Sequence, residues 1–351
     1  MKQTYDITAS YLENYERGPR LDDPPDVPPT PLKKFLGLPV HSRLGIAAGL
    51  LLNSNWLLGY AAQGFDLLTY KTVRSRAREC YPPPNWVFVD ADDSDGPVYA
   101  TDKLPTDPTD ISSAVCFGMP SMPPEEWRED VSRCKVGLGE GQLLIVSVVA
   151  SPEPGWSASQ LASDYAQCAA WAVEAGADVI EANFSCPNVC SAEGQIYLDA
   201  DLSGNVSTTI RDAIGKTPLL LKVATFPAGN SMRDFMRAVS TTANGVTLVN
   251  GISRPVLHRD GRPVFGADYV KAGVLGRIIH EPSVASVRQA RAIVNAENLN
   301  LAIAAVGGTS TTNDLADFFN ADADADAVLL GSAPMFLPHF ARDVKQSHPE
   351  W

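Results

Sequence analysis

Ala177-Asp178-Val179-Ile180-Glu181-Ala182 runs directly into Asn183-Phe184-Ser185-Cys186-Pro187-Asn188. The first half is strand-length and nearly all apolar, which suits a parallel strand buried on both faces. The second half puts two carboxamides and a thiol where that strand ends and a loop begins. In alternating strand–helix proteins the carboxyl ends of the strands are where ligands sit. Asn carries two donors and an acceptor, so Asn183 and Asn188 together suit a flat polar heterocycle. Cys186 between them is placed to move a proton. Asn, Ser and Pro are also ordinary turn residues, and a free Cys is usually buried and inert. The segment alone leaves a capped turn as an equal alternative, and the rest of the chain decides.

Working outward, seven more short apolar runs resemble this one, at residues 44–48, 66–70, 143–149, 218–223, 245–249, 301–306 and 326–330. Amphipathic helix patterns lie between them. The clearest covers 158–176, where Leu161, Tyr165, Cys168, Ala169 and Val173 recur at helical spacing before Gly176. Residues 281–294 and 310–319 are others, and a helix is expected to begin near Glu125. Eight strand–helix alternations predict an α/β fold, a (β/α)8 TIM barrel, with an open doubly wound sheet as the alternative. Residues 1–40 are expected to be an N-terminal extension, with a short helix over 5–15 and a proline-rich linker over 22–31. Residues 41–351 are expected to be the barrel. The connection from 72 to 124 is too long for a simple strand–helix loop. Trp86-Val87-Phe88-Val89 and Pro97-Val98-Tyr99-Ala100 flank Asp-Ser-Asp-Gly within it, the signature of a β-hairpin inserted after strand two. Such an excursion is placed to roof a site.

Composition narrows the function. The chain has 351 residues and a formal net charge of -13, which argues against nucleic acid, whose phosphates demand a basic face. No apolar stretch is long enough for an integral membrane segment, and the first ten residues lack a secretory pattern. Cys80, Cys116, Cys134, Cys168, Cys186 and Cys190 show no CxxC or zinc-like spacing. They are expected to be reduced thiols in a cytoplasmic protein without a metal or iron–sulfur site.

Glycines then point to an anion. Gly307-Gly308 follows the seventh strand and Gly331-Ser332-Ala333 the eighth, each opening a helix. Amides at helix N-termini bind anions, and the loops after strands seven and eight are the usual phosphate position of such barrels. Ala272-Gly273-Val274-Leu275-Gly276 is expected to add a close-approach loop after strand six. Lys71 ends strand two and Lys222 lies near the end of strand five. Lysine is seldom buried without a partner, so both are expected to face an anionic ligand. Lys222 would suit the pyrimidine end of a flavin, where negative charge develops on reduction.

From about residue 44 to 340 the chain resembles the dihydroorotate dehydrogenase family, FMN-containing (β/α)8 barrels. The most specific element is Asn-Phe-Ser-Cys-Pro-Asn at 183–188. The resemblance implies the soluble branch, with Cys186 as catalytic base and Lys71 touching both substrate and flavin. It implies Asn183, Asn188, Gly118, Met119 and Ser253 at the substrate, and Ala47, Ala48, Lys71, Asn183, Lys222, Gly276, Gly307, Gly308, Gly331 and Ser332 at FMN. The implied reaction, a step of pyrimidine biosynthesis, removes a proton beside a carbonyl while hydride passes to flavin N5. Since a free thiol has a pKa of about 8.5, activity should rise toward mildly alkaline pH. Barrels of this family often form homodimers, and the electron acceptor is left open.

Several positions depart from the family. Its substrate loop begins with Asn three residues before the glycine, where this chain has Val115. Its strand-six pair, Asn-Ser or Asn-Thr, is matched here to Ser253-Arg254. Its Gly-Asn-Pro-x-Pro-Arg segment has become Cys80-Tyr81-Pro82-Pro83-Pro84-Asn85. A site that loses polar partners loses discrimination for a polar ring. Oxidation of dihydroorotate to orotate thus competes with a diverged flavoenzyme acting on another cyclic amide or enone. A non-catalytic flavin- or phosphate-binding barrel is the third reading.

Overall fold

The computed structural model describes residues 3–91, 95–185, 195–229 and 231–351. The chain opens with α1 (Tyr11–Arg17), capped by Ser10 in a reciprocal box with Glu13. A hairpin, β1 (Lys33–Phe35) and β2 (Leu38–Val40), follows. Its turn residues Leu36 and Gly37 both take positive φ, the hand that matches strand twist. β3 (Leu44–Ile46), α2 (Ser54–Ala62) and β4 (Leu67–Val73) start the barrel. β5 (Trp86–Ala91), β6 (Val98–Ala100) and β7 (Ser112–Val115) form the long insertion. Then come α3 (Pro124–Gly137), β8 (Leu143–Val148), α4 (Ala158–Glu174), β9 (Val179–Asn183), α5 (Ala200–Ile214), β10 (Leu219–Val223), α6 (Ser231–Val239) and β11 (Gly245–Leu248). A second excursion, β12 (Ile252–Leu257) and β13 (Lys271–Gly276), precedes α7 (His280–Glu297), β14 (Ala302–Ala305), α8 (Thr312–Phe319), β15 (Ala327–Leu330) and α9 (Phe340–Ser347).

β3, β4, β8, β9, β10, β11, β14 and β15 close into a parallel barrel in chain order. All eight apolar runs are its strands, so the (β/α)8 expectation holds and the open sheet does not. Side chains alternate across each strand. Leu67, Leu143, Ile145, Val179, Leu220, Ala304 and Leu329 pack together inside, and Phe35 and Val40 join them from below. Leu68, Leu144, Val146, Ile180, Leu221 and Ile303 face the helices in a separate cluster. Continued upward, the inward set reads Thr69 and Lys71, Ser147, Glu181 and Asn183, Lys222 and Thr247. The interior is apolar at its base and polar at its mouth, which places the chemistry before any residue is assigned a role.

The predicted hairpin pairs Val89 with Ala100, and its tip at 92–94 lies outside the described residues. It is not a lone decoration. β5, β6, β7, β12 and β13 close into a small five-stranded sheet above the mouth. Residues 272–276 are therefore a strand and not a loop; their small residues allow close antiparallel pairing with β7 and β12. The first forty residues are more than extension and linker. Tyr5 packs its ring 5.3 Å from Trp86 and 5.7 Å from Trp56, Phe35 plugs the barrel, and the first helix starts at Tyr11, where Ser10 caps it.

Candidate active site

The mouth opens into a cavity of ≈ 1270 Å³ of empty space continuous with solvent. One end is built by the loops after β14 and β15. Gly307, Gly308, Thr309 and Ser310 line it on one side, Gly331 and Ser332 on the other, and Gly276 at the end of β13 approaches from above. The amides of Gly307, Gly308 and Thr309 have no acceptor among the described residues, and the buried Thr309 hydroxyl is likewise unpartnered there. Asp314 fixes the loop from behind: its carboxylate accepts from the amides of Ser310 at 3.0 Å and Thr311 at 2.9 Å. Arg277, which also lines this end, donates to the same carboxylate at 2.6 Å. Burial pushes the Asp314 carboxyl up, but the Ser310 and Thr311 hydrogen bonds outweigh it and hold the group below the ordinary carboxylate range. His280 braces the other side, with Nδ1 3.1 Å from Gly307 O and Nε2 3.0 Å from Asp317.

The other end is the polar mouth of the barrel. Ala47 and Ala48 follow β3, Lys71 and Asn183 rise from β4 and β9, and Lys222 from β10. β4 bulges between Tyr70 and Val73, next to Lys71, whose amide donates to Leu51 O at 2.9 Å. Asn183 is pinned from several directions. Tyr165 donates to its carbonyl at 2.8 Å, its side-chain oxygen accepts from Ser185 N at 3.2 Å, and its amide faces the Met119 sulfur at 3.6 Å. Met119 holds φ +54, a sparsely populated conformation for a side-chain-bearing residue, and lines the cavity with Val115, Phe117 and Trp86.

Every residue predicted at FMN borders this one cavity. The substrate set divides. Asn183 and Met119 line it. Gly118 does not: it turns at φ +72 against the Tyr81 ring, where a Cβ would lie 2.5 Å from ring carbon. Ser253 is exposed on β12, outside the cavity. Asn250, just beyond β11, instead lines the cavity with Gly251 and donates to Ser185 O. The mismatch came from register: β11 ends at Leu248, so the residues just beyond it stand at the mouth, and by Ser253 the chain has entered the roof sheet. Arg254 is buried, and Nε donates to Gly96 O at 2.7 Å, tying β12 to the hairpin. Cys186 and Asn188 lie outside the described residues. Sequence reasoning also missed Arg277, whose signal was its place directly after Gly276, and the apolar wall of Trp86 and Phe117.

Cys80, Cys134 and Cys168 are poor candidates for a base. Burial pushes Cys80 up to about 11, and Cys134 and Cys168 further still.

These residues fit FMN. Free amides, an unpartnered hydroxyl and Arg277 suit a phosphate. Gly49 and Gly331 border the cavity, and a Cβ on either would meet no protein atom within 4 Å, so a ligand can approach the backbone there. Lys222 and Asn183 offer a cation and an amide to a polar ring.

Comparison with known proteins agrees with this geometry. The family described as Dihydroorotate dehydrogenase matches residues 144–347. A dihydroorotate dehydrogenase of Dictyostelium discoideum is 33% identical over 359 aligned positions, spanning 97% of this chain and 96% of its own. The catalytic subunit of dihydroorotate dehydrogenase B (NAD(+)) from Oceanobacillus iheyensis is 25% identical over 174 positions, 49% of this chain and 54% of the relative. The crystal structure of dihydroorotate dehydrogenase from Eimeria tenella in complex with ferulenol superposes with a TM-score of 0.70 at 18% identity, covering 90% of this chain and 82% of that one, which shows a shared fold. With a matched family pattern over more than half the chain and a relative aligned along nearly all of it, this chain belongs to the dihydroorotate dehydrogenase family.

Proposed function

We propose that this protein oxidises dihydroorotate to orotate with FMN, the cofactor of its family. The observation that carries the reading is the convergence of Lys71, Asn183, Asn250 and Lys222 at one end of a cavity whose other end is an anion cradle. Bound FMN supplies a hydride acceptor at N5. Lys222 would meet the negative charge that bound FMN develops on reduction. Lys71, Asn183 and Asn250 orient the substrate's carbonyl and amide groups, and the roof of Trp86, Phe117 and Met119 keeps water out. Cys186 is assigned removal of the proton beside the carbonyl. Asn188 is assigned a further substrate contact. The same proposal places the protein in pyrimidine biosynthesis, in the cytoplasm and as a homodimer. No helix among the described residues is long and apolar enough to cross a membrane.

A second reading rests on Val115, which puts an apolar side chain on the cavity wall where the family carries Asn: a related enzyme for a less polar cyclic amide or enone. Anaerobic addition of dihydroorotate to the yellow protein separates the two. Rapid bleaching supports the first. Bleaching abolished by C186A and slowed by C186S assigns the base, and a protein that stays yellow with dihydroorotate moves the weight to the second. Turnover untouched by either substitution would remove Cys186 from the mechanism.

A further inference from the structure

The barrel interior carries one charge that the reaction above does not use. Glu181, two residues below Asn183 on β9, is fully buried. Neither of its carboxylate oxygens has a hydrogen-bond partner among the described residues. The one ion pair it makes among them is with Lys222 Nζ, at 3.9 Å, and Lys222 is itself only 3% exposed. The two side chains come from neighbouring strands, β9 and β10, whose register sets Lys222 beside Asn183. Thr69 and Thr247, which alternation turns into the same interior, also carry hydroxyls without partners among the described residues. Strand alternation therefore builds a polar layer directly under the cavity floor, with one acid and one base in it. An isolated buried carboxylate or ammonium is too costly to keep charged, and each makes the other tolerable.

We propose that Glu181 is the counter-ion of Lys222, a positioning residue that keeps its ammonium aimed at the pyrimidine end of the flavin. The inference rests on the FMN reading above. Lys222 serves that ring only as a cation, because the charge it meets appears on reduction. Without Glu181, the buried Lys222 ammonium has no counter-ion among the described residues and is no longer held at that ring. Glu181 thus acts on the reduction potential. It leaves the affinity for dihydroorotate alone, since it lies beneath the ring position and does not line the cavity.

The test is the midpoint potential of the FMN bound to the holoenzyme at neutral pH. E181Q is expected to lower the potential by roughly 30 mV or more, a tenfold loss of preference for reduced flavin in a two-electron couple. E181D should restore part of it. K222Q should lower the potential too, and E181Q/K222Q should be no lower than K222Q alone. An E181Q potential equal to or above that of the wild type would overturn the proposal, as would additive effects in the double variant. If E181Q does not fold, E181Q/K222Q must, because it removes both charges; a double variant as unstable as E181Q also overturns it. A wild-type flavin that dihydroorotate fails to bleach sinks the assigned substrate and leaves these potentials to be read.

Discussion

Replacing Gly308 and Gly331 by alanine, one at a time, separates the two jobs that glycine does in the phosphate cradle. Gly308 sits at φ +65, and a Cβ there would lie 2.7 Å from His280 Cβ and 2.8 Å from Gly276 O. His280 cannot yield, since it is 1% exposed and both ring nitrogens are engaged. A left-handed alanine costs about 1–2 kcal/mol, and overpacking against fixed neighbours adds about 1–3 kcal/mol. G308A should therefore destabilise the FMN-free protein by several kcal/mol and distort the cradle. Gly331 has no positive φ, and its Cβ would meet nothing within 4 Å. G331A should change the stability of the FMN-free protein by less than about 0.5 kcal/mol while taking space the ligand needs. Its FMN affinity should fall at least roughly tenfold, equivalent to about 1.4 kcal/mol. Thermal unfolding of the stripped proteins and quenching of flavin fluorescence on titration read the two quantities independently. The reasoning is refuted if G331A binds FMN as the wild type does, or if both variants lose the same stability.

Two further predictions rest on parts remote from the ring. F35A, which removes the plug from the barrel's base, should cost about 3–5 kcal/mol in urea unfolding and leave FMN affinity of the folded protein unchanged; a loss under about 1 kcal/mol would mean that the hairpin does not close the core. Asp314 is held below its ordinary value, so its contribution to stability is complete above the unfolded carboxylate pKa of about 3.9 and is lost as pH falls through the lower, folded value. Flavin release on acidification should follow that window, and D314N should bind FMN more weakly at neutral pH with a flatter acid limb. An acid limb unchanged by D314N would assign the release to another group.

The barrel was legible because parallel strands covered on both faces must be apolar throughout, and eight such runs stand out against amphipathic helices. The phosphate end was legible for a similar reason: glycines after the last two strands have few other uses at that place. The ring end was harder. Asn250 escaped because which residue stands at a barrel mouth depends on where the strand stops, and β11 stops at Leu248, two residues short of it. β13 passed for a loop because Ala272, Gly273 and Gly276 are weak strand formers, and only pairing with β7, far away in sequence, makes them a strand. The burial of Arg254 was not legible, since one of its partners is a carbonyl on another excursion. Local pattern reveals what one segment needs and conceals what two distant segments supply to each other.

The roof sheet carries a consequence for how the protein is made. Its halves leave the barrel after β4 and after β11, and the Arg254–Gly96 hydrogen bond spans 158 residues of chain. On a ribosome adding about 5–20 residues per second, the first half waits on the order of ten to thirty seconds for its partner strands. Throughout that interval β6 and β7 lack the partner strands β12 and β13, and strands with open edges invite association. The roof is then the stretch most exposed to misassembly during synthesis, and holding factors that engage nascent chains should be needed most between completion of β7 and emergence of β13.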